Sequence, residues 1–129
     1  MRVLLDTSVL IAFFNSNDDH HEVAAAALES SSDTFEISVI SFMEMLVWPA
    51  RKSVREVERV TKTLKKFASA IHPVDEEIAA LAAMARGKSR AADALIRATA
   101  TAKGTGLWTL DQDLAKAHKG AKLLTYRFE

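Results

Sequence analysis

The first strand and the first helix of this chain both fall within RVLLDTSVLIAFF, residues 2–14. Residues 2–5 form a short apolar run, which is typical of a central strand in a parallel sheet. Residues 8–14 are predicted to form a short helix, with Thr7 or Ser8 as its N-cap. Between the two elements stands Asp6, a carboxylate at the edge of a core strand. Because a buried, unpaired charge is costly, Asp6 either caps the helix or pairs with a positive group that the sequence does not show.

Strand-like and helix-like segments alternate along the rest of the chain. Further strands are predicted at residues 35–39, 70–74, 106–110 and 123–126. Further helices are predicted at residues 20–30, 41–48, 53–69, 76–86, 91–103 and 111–118. We expect Pro49 to end the helix before it, Asp75 to cap the helix after it, and Gly104 to close the helix before it. This alternation predicts an α/β fold with a short, mainly parallel central sheet.

The composition is that of an ordinary globular protein. The chain has 129 residues, 49% hydrophobic and 26% charged, which suits a single domain over residues 1–129. Its 17 basic and 17 acidic residues leave no net charge, which argues against a strongly basic nucleic-acid binder but allows a local basic patch. The absence of cysteine excludes disulfides, thiolate zinc sites and cysteine nucleophiles. No apolar run approaches the length of a membrane span, so we expect a cytoplasmic protein without membrane association.

Carboxylates in apolar surroundings recur near the predicted strand ends and helix starts. They are Asp6, Glu44, Asp93 and Asp111, with Asp113 close behind. Glu44 stands among Met43, Met45, Leu46 and Val47, so it is expected to interrupt an otherwise buried segment. Functional sites of parallel α/β sheets form at the carboxyl ends of strands. Clustered carboxylates repel one another, and a hard divalent cation such as Mg²⁺ relieves that repulsion. The pattern therefore indicates metal-assisted phosphodiester hydrolysis.

Each of these carboxylates also has a structural explanation. An aspartate after a strand, such as Asp6, is usually a helix cap. Asp93 lies in the first turn of its helix, where a negative charge suits the helix dipole. Asp111 and Asp113 could simply begin a helix, and Glu44 could lie at an edge of the core. The occurrence of all of them at the same end of one sheet favours the functional interpretation.

The chain resembles the PIN-domain ribonucleases, and among them the VapC toxins of toxin–antitoxin modules. The segments LLDTSVLI, ISVISFMEML, ADALIRATA and LWTLDQDLAKA look like the successive motifs of that family. The resemblance implies a three-layer α/β/α sandwich. It implies that Mg²⁺, or Mn²⁺, is bound by the catalytic residues Asp6, Glu44, Asp93 and Asp111, with Asp113 as a further metal ligand. Thr7 and Thr109 match polar positions that line the family's pocket.

The resemblance also implies an activity and partners. It implies a metal-dependent endoribonuclease toxin of a type II toxin–antitoxin system, inhibited by a cognate antitoxin protein and assembled as a homodimer. Structured RNA such as tRNA or rRNA is the implied substrate class. Two alternatives stay open. One is a PIN-domain nuclease that processes RNA without an antitoxin, and the other is a non-catalytic binding module that keeps only the fold.

Basic residues near Asp93 are candidate RNA contacts. They are Arg86, Lys88, Arg90 and Arg97. The first three stand on a glycine-containing loop, where they either contact RNA phosphates or are simply solvated. Arg97 follows Asp93 by one helical turn. Three alternatives stay open for it: it contacts the pocket, it contacts acidic groups of an antitoxin, or it contacts neither. Trp48 suits a partner interface or a place in the core.

Overall fold

The computed structural model describes residues 1–125. Its strands are β1 Arg2–Leu5, β2 Thr34–Ser38, β3 Ala70–His72, β4 Gly106–Thr109 and β5 Lys122–Leu123. Its helices are α1 Thr7–Phe14, α2 His21–Glu29, α3 Val39–Lys52, α4 Val54–Phe67, α5 Glu76–Ala85, α6 Ala91–Lys103 and α7 Gln112–Ala117. The strands form one parallel sheet in the order β3-β2-β1-β4-β5. The predicted α/β class and parallel central sheet are confirmed.

Successive residues of the central strand β1 face opposite sides of the sheet, as strand geometry requires. Val3 and Leu5 are fully buried in a cluster with residues of α1 and α2. Leu4, also fully buried, packs on the other side against Ile96 of α6 and Leu114 of α7. Helix α5 packs in turn against α6. Helices therefore cover both faces of the sheet, and the expected three-layer α/β/α arrangement is confirmed.

Most element boundaries lie within two residues of the predicted ones. Gly104 closes α6 in the left-handed conformation, with φ at 65°, and Asp75 caps α5 by accepting the N–H of Ile78 at 2.9 Å. The last strand is shorter than predicted, because β5 ends at Leu123. Tyr126, its predicted end, lies outside the described residues. The assignment of residues 1–129 to one domain stays a prediction for the same reason.

The prediction that Pro49 ends α3 is wrong. The helix starts at Val39, where Ser38 accepts the N–H of Ile40 at 3.0 Å, and it continues to Lys52. Pro49 lies in the last turn, so its missing N–H removes a single helical hydrogen bond. Its own carbonyl still accepts the N–H of Ser53 at 3.1 Å, which completes the helix.

The prediction that Glu44 interrupts a buried segment is also wrong. Met43 is 53% exposed, Val47 46% and Trp48 70%, whereas Ser41 is the residue of α3 that is fully buried. Helix α3 packs against α1 and α4, yet these apolar side chains remain on the surface. No helix within residues 1–125 is long and apolar enough to cross a membrane.

Strand β2 carries a buried carboxylate that the sequence analysis did not single out. Glu36 is 3% exposed and pairs with Arg2 of β1, whose Nε and Nη2 donate to it at 2.6 and 2.9 Å. Nε2 of His72, at the end of β3, contacts Oε1 of the same carboxylate, the oxygen that also accepts from Arg2 Nη2. The Arg2 guanidinium holds the pKa of Glu36 below its usual range, and His72 adds to this effect against the opposing effect of burial. This ion pair links the three strands β1, β2 and β3.

Candidate active site

Asp6 leaves β1 at the carboxyl end of the sheet. Its backbone N–H still donates to the carbonyl of Trp108 in β4 at 3.0 Å. The residue is buried, with 4% of its surface exposed. Its Oδ1 accepts the backbone N–H of Thr7 at 2.8 Å. Asp6 is therefore the N-cap of α1, and the prediction of Thr7 or Ser8 as the cap is wrong. The reason is that Thr7 is already helical, whereas the backbone of Asp6 is still extended.

Neutral hydroxyls surround the other oxygen of this carboxylate. Ser8 Oγ and Thr109 Oγ1 donate to Asp6 Oδ2 at 2.7 and 2.8 Å. Burial raises the pKa of Asp6 above its ordinary value, and the negative charge of Asp93 adds to the rise, while the two hydroxyls oppose it. The carboxylate thus lies within electrostatic reach of Asp93. Among residues 1–125, no cationic side chain forms an ion pair with Asp6.

Thr7 connects this corner of the sheet to Glu44. Its Oγ1 donates to Glu44 Oε1 at 2.7 Å and shares a hydrogen bond of 2.8 Å with Ser41 Oγ. The half-buried Glu44 is thereby held beside the first turn of α1. Ser41 was missed in the sequence, although its position three residues before Glu44 puts both on one side of a helix. The side chains of Thr7 and Ser8 therefore contact different carboxylates. Thr7 positions Glu44, and Ser8 positions Asp6.

Thr109 and Ser8 tie the turn after β4 to Asp6. Thr109 Oγ1 accepts the backbone N–H of Asp111 at 2.9 Å, and Ser8 Oγ accepts that of Leu110 at 3.1 Å. Asp111 caps α7 by accepting the N–H groups of Asp113 and Leu114 at 2.8 and 3.3 Å. The explanation of Asp111 as a residue that begins a helix is thus correct. The same turn holds Asp111 close to Thr109, which donates to Asp6. Asp113 is exposed on the first turn of α7.

A cleft of 660 Å³ brings the remaining predicted residues together. Asp93, in the first turn of α6, lines it together with Asp111 and Asp113. The basic loop, residues 86–90, lines the same cleft. Its exposed cations are Arg86, Lys88 and Arg90. Arg90 Nε lies 3.4 Å from Asp93 Oδ2, a long and exposed ion pair whose contribution is small.

The basic loop is a closed turn. Ser89 N–H donates to the carbonyl of Arg86 at 2.9 Å, and Arg86 Nε donates to the carbonyl of Ser89 at 3.1 Å. Gly87 has a φ of 53°, which favours glycine at this position. Arg97 extends from α6 towards the loop, and its guanidinium donates to Ser89 Oγ at 3.1 Å. Each candidate RNA contact therefore lies in or beside the cleft that contains Asp93.

The carboxylates form two linked groups. Asp6 and Glu44 are joined through Thr7, while Asp93, Asp111 and Asp113 line the cleft. Within residues 1–125, no three His, Asp or Glu side chains are arranged so that they could hold one metal ion. The donor chemistry nevertheless fits a hard cation, because every candidate ligand is a carboxylate. Asp6 Oδ1 accepts one hydrogen bond, which leaves a lone pair for a ligand bond.

Comparisons with known proteins agree with this architecture. A family model described as the PIN domain matches residues 3–120. Among solved structures, FitAcB from Neisseria gonorrhoeae is 26% identical, with a TM-score of 0.74 over 94% of this chain and 96% of that one. A toxin–antitoxin complex from Klebsiella pneumoniae is 30% identical, with a TM-score of 0.72 over 88% and 90%.

A third structure is similar in fold. VapC20 from Mycobacterium tuberculosis, described as a toxin that cleaves the sarcin–ricin loop, is 18% identical, with a TM-score of 0.76 over 95% and 99% of the two chains. No protein in a search of curated proteins matches this sequence. The family model covers most of the chain, and the resemblance inferred from its motifs is confirmed. The chain belongs to the PIN-domain family.

Proposed function

We propose that this chain is a metal-dependent endoribonuclease, the toxin of a type II toxin–antitoxin system. The observation that carries the proposal is the state of Asp6. This carboxylate is buried at the carboxyl end of the central strand, it has no cationic partner among residues 1–125, and Asp93 raises its pKa further. A divalent cation would compensate both charges. Membership of the PIN-domain family and similarity to toxin–antitoxin structures support the same function.

In the proposed mechanism, Asp6, Glu44, Asp93 and Asp111 would hold Mg²⁺ or Mn²⁺, with Asp113 as an additional ligand. Because no three of these carboxylates are grouped around one point within residues 1–125, some of them would hold the ion through its bound waters, several of which Mg²⁺ usually keeps. When bound, the metal polarises the phosphoryl group and lowers the pKa of the attacking water. The other polar residues prepare these ligands. Thr7 fixes one oxygen of Glu44. Ser8 and Thr109 donate to Asp6, which favours its charged, metal-binding form.

The basic loop supplies the complementary half of the site. Its cations Arg86, Lys88 and Arg90 line the same cleft as Asp93 and Asp111. RNA phosphates would contact these cations while the scissile phosphate lies at the carboxylates. Structured RNA such as tRNA or rRNA is the proposed substrate class. Because the chain has no net charge, its electrostatic attraction for RNA would come from local basic patches such as this one.

Removal of the metal tests the proposed activity directly. We expect the purified chain to cleave RNA in the presence of Mg²⁺ or Mn²⁺ and to lose this activity in excess chelator, because the carboxylates alone cannot activate water. Addition of Mg²⁺ should restore cleavage, and circular dichroism in the chelator should show an unchanged fold. RNA-end sequencing after expression of the chain would identify the cleaved RNA. Cleavage that persists in the chelator would contradict the metal dependence.

An apolar groove suits the proposed antitoxin. It lies between α1, α3 and α4, has a volume of 480 Å³, and is lined by Phe14, Met45, Trp48 and Leu64. Lys52, Arg59 and Glu44 also line it. A bound segment with apolar and acidic side chains would fill the groove and reach the carboxylates. Inhibition would then follow from occupation of the catalytic centre.

The exposed Trp48 is the expected anchor of that interface. We expect Trp48→Ala to weaken antitoxin binding at least about 10-fold, because buried tryptophans often contribute about 2 kcal/mol or more to an interface. RNA cleavage by the free chain should not change. Affinity can be measured by calorimetry with the purified antitoxin. Val54→Ala is the matched control, since Val54 is 75% exposed but does not line the groove. Equal affinities of all three proteins would exclude this groove as the antitoxin site.

The alternatives differ in testable ways. A short open reading frame upstream of the gene, whose product copurifies with this chain, would support the toxin over an RNA-processing nuclease. A calorimetric titration that detects no Mn²⁺ binding would favour a non-catalytic module. The proposal includes a cytoplasmic location and a homodimer. Val39, Met43 and Val47 are exposed and four residues apart on α3, so a second copy could cover this apolar stripe.

A further inference from the structure

Arg97 joins three separate segments at the rim of the cleft. Its Nη2 donates to the carbonyl of Ala117, the last residue of α7, at 2.8 Å. Its Nη1 donates to Ser89 Oγ in the basic loop at 3.1 Å and lies 3.4 Å from the carbonyl of Ala85, the last residue of α5. One side chain of α6 thus contacts the ends of two helices and the loop between α5 and α6.

The charge of Arg97 suits this position. The carbonyl groups at the end of a helix lack intrahelical partners and carry the negative end of the helix dipole. Arg97 donates to such groups on both α5 and α7. The planar guanidinium presents its N–H donors in fixed directions from three nitrogens, whereas a lysine ammonium has three donors on a single nitrogen. Arginine can therefore bridge acceptors that lie too far apart for lysine. His118, next to the end of α7, has its pKa lowered by burial and by the charge of Arg97.

These contacts leave Arg97 poorly placed to bind RNA. Both terminal nitrogens of its guanidinium are engaged within the protein. Its Nε is buried and has no hydrogen-bond partner among the described residues. A phosphate that contacted these terminal nitrogens would compete with the carbonyl groups of Ala85 and Ala117 and with Ser89 Oγ. Its role differs in this respect from that of the exposed Arg86, Lys88 and Arg90.

We propose that Arg97 is a positioning residue that holds the basic loop and the end of α7 against α6. This role rests on the proposed function, and it replaces a direct RNA contact for Arg97. Arg97 lies one turn after Asp93 on the same helix, so the contacts fix both walls of the cleft relative to Asp93. The loop cations and Asp111 at the start of α7 then keep their spacing across the cleft. RNA phosphates would meet a preformed site.

Hydrogen–deuterium exchange of the free protein tests the positioning without any RNA. We expect Arg97→Lys and Arg97→Ala to raise amide exchange in residues 86–90 and 112–118 about 10-fold, since the hydrogen bonds that hold these segments closed are lost. Exchange in β1 and β4 should not change. Guanidinium ion at millimolar concentration should restore protection to Arg97→Ala, and ammonium ion should not. Arg55→Lys, an exposed arginine of α4, is the control. Unchanged exchange in both variants would overturn the proposal.

RNA cleavage separates positioning from direct contact. A phosphate contact would survive in Arg97→Lys, because lysine also binds phosphate. Positioning predicts that Arg97→Lys lowers kcat about 10- to 100-fold, since a small displacement in an active site has effects of this size. Normal kcat in Arg97→Lys, together with raised exchange, would also overturn the proposal. If the wild-type chain cleaves no RNA while exchange responds as expected, the proposed nuclease function is wrong. The positioning role of Arg97 would still be supported.

Discussion

Asp6→Asn is expected to lower the rate of RNA cleavage at least about 100-fold at saturating Mg²⁺, since even the partners of metal ligands contribute about 10- to 100-fold. The amide oxygen can still accept the N–H of Thr7, so the cap of α1 is kept. What is lost is the negative charge that the proposed mechanism uses to bind the metal. Initial rates on a labelled RNA and a Mn²⁺ titration by calorimetry would measure both effects.

Asp75→Asn is the matched control for this experiment. Asp75 also caps a helix through its side chain, but it stands at the start of α5 and does not line the cleft. Asparagine is as good an N-cap as aspartate, so this variant should keep both its stability and its cleavage rate. If Asp6→Asn cleaved RNA at the wild-type rate while its thermal unfolding was unchanged, Asp6 would be a helix cap and nothing more.

The sequence predicted the location of Asp6 but could not separate its two roles. The order strand, aspartate, helix is consistent with a cap and with a metal ligand, and the structure shows that the cap is real. Its burial, its hydroxyl partners and the effect of Asp93 become visible only when α1, β4 and α6 meet. Thr109, for example, is 103 residues away from Asp6 in the chain. Periodicity and motif spacing describe local structure, and such contacts are not local.

The sequence also misjudged α3 for a physical reason. Its apolar residues indicated burial on all sides, and Pro49 indicated an early end. A proline in the last turn costs little, and the apolar residues of α3 divide between the packing with α4 and an open surface. Apolar character alone does not show whether a residue faces the protein's own core or a partner. This surface is where the proposed antitoxin groove and the stripe of Val39, Met43 and Val47 lie.

Glu36 shows the same limit inside the sheet. In an alternating strand, a polar residue is expected to face solvent, so Glu36 attracted no attention in the sequence. Both faces of this sheet are covered by helices, and the carboxylate is buried. The charge is tolerated because Arg2 on β1 and His72 at the end of β3, the two strands that flank β2, both contact the carboxylate. The role of a carboxylate in a strand can therefore be interpreted only once its partners on the neighbouring strands are known.

Glu36→Gln is expected to lower the free energy of unfolding by about 1–3 kcal/mol at neutral pH, the usual effect of leaving a charged hydrogen-bonding group without its partner. Arg2 donates to both oxygens of Glu36, so the amide would direct an N–H group at a residue that is itself a donor. Urea denaturation followed by circular dichroism measures the change. Glu58→Gln, the same substitution at an exposed position of α4, should have almost no effect. A double-mutant cycle with Arg2→Gln would assign the loss to the pair.

The pH dependence distinguishes the charge of Glu36 from its packing. Arg2 and then His72 lower the pKa of Glu36 in the folded chain, so the folded state binds its proton less readily than the unfolded state. The ionised carboxylate then contributes its full stabilisation above the unfolded value of about 4.3. That contribution is lost as the pH falls through the lower, folded pKa. The stability difference between the wild type and Glu36→Gln should therefore shrink in acid. A difference that stayed constant down to that range would mean that the amide disturbs packing and that the ion pair adds little.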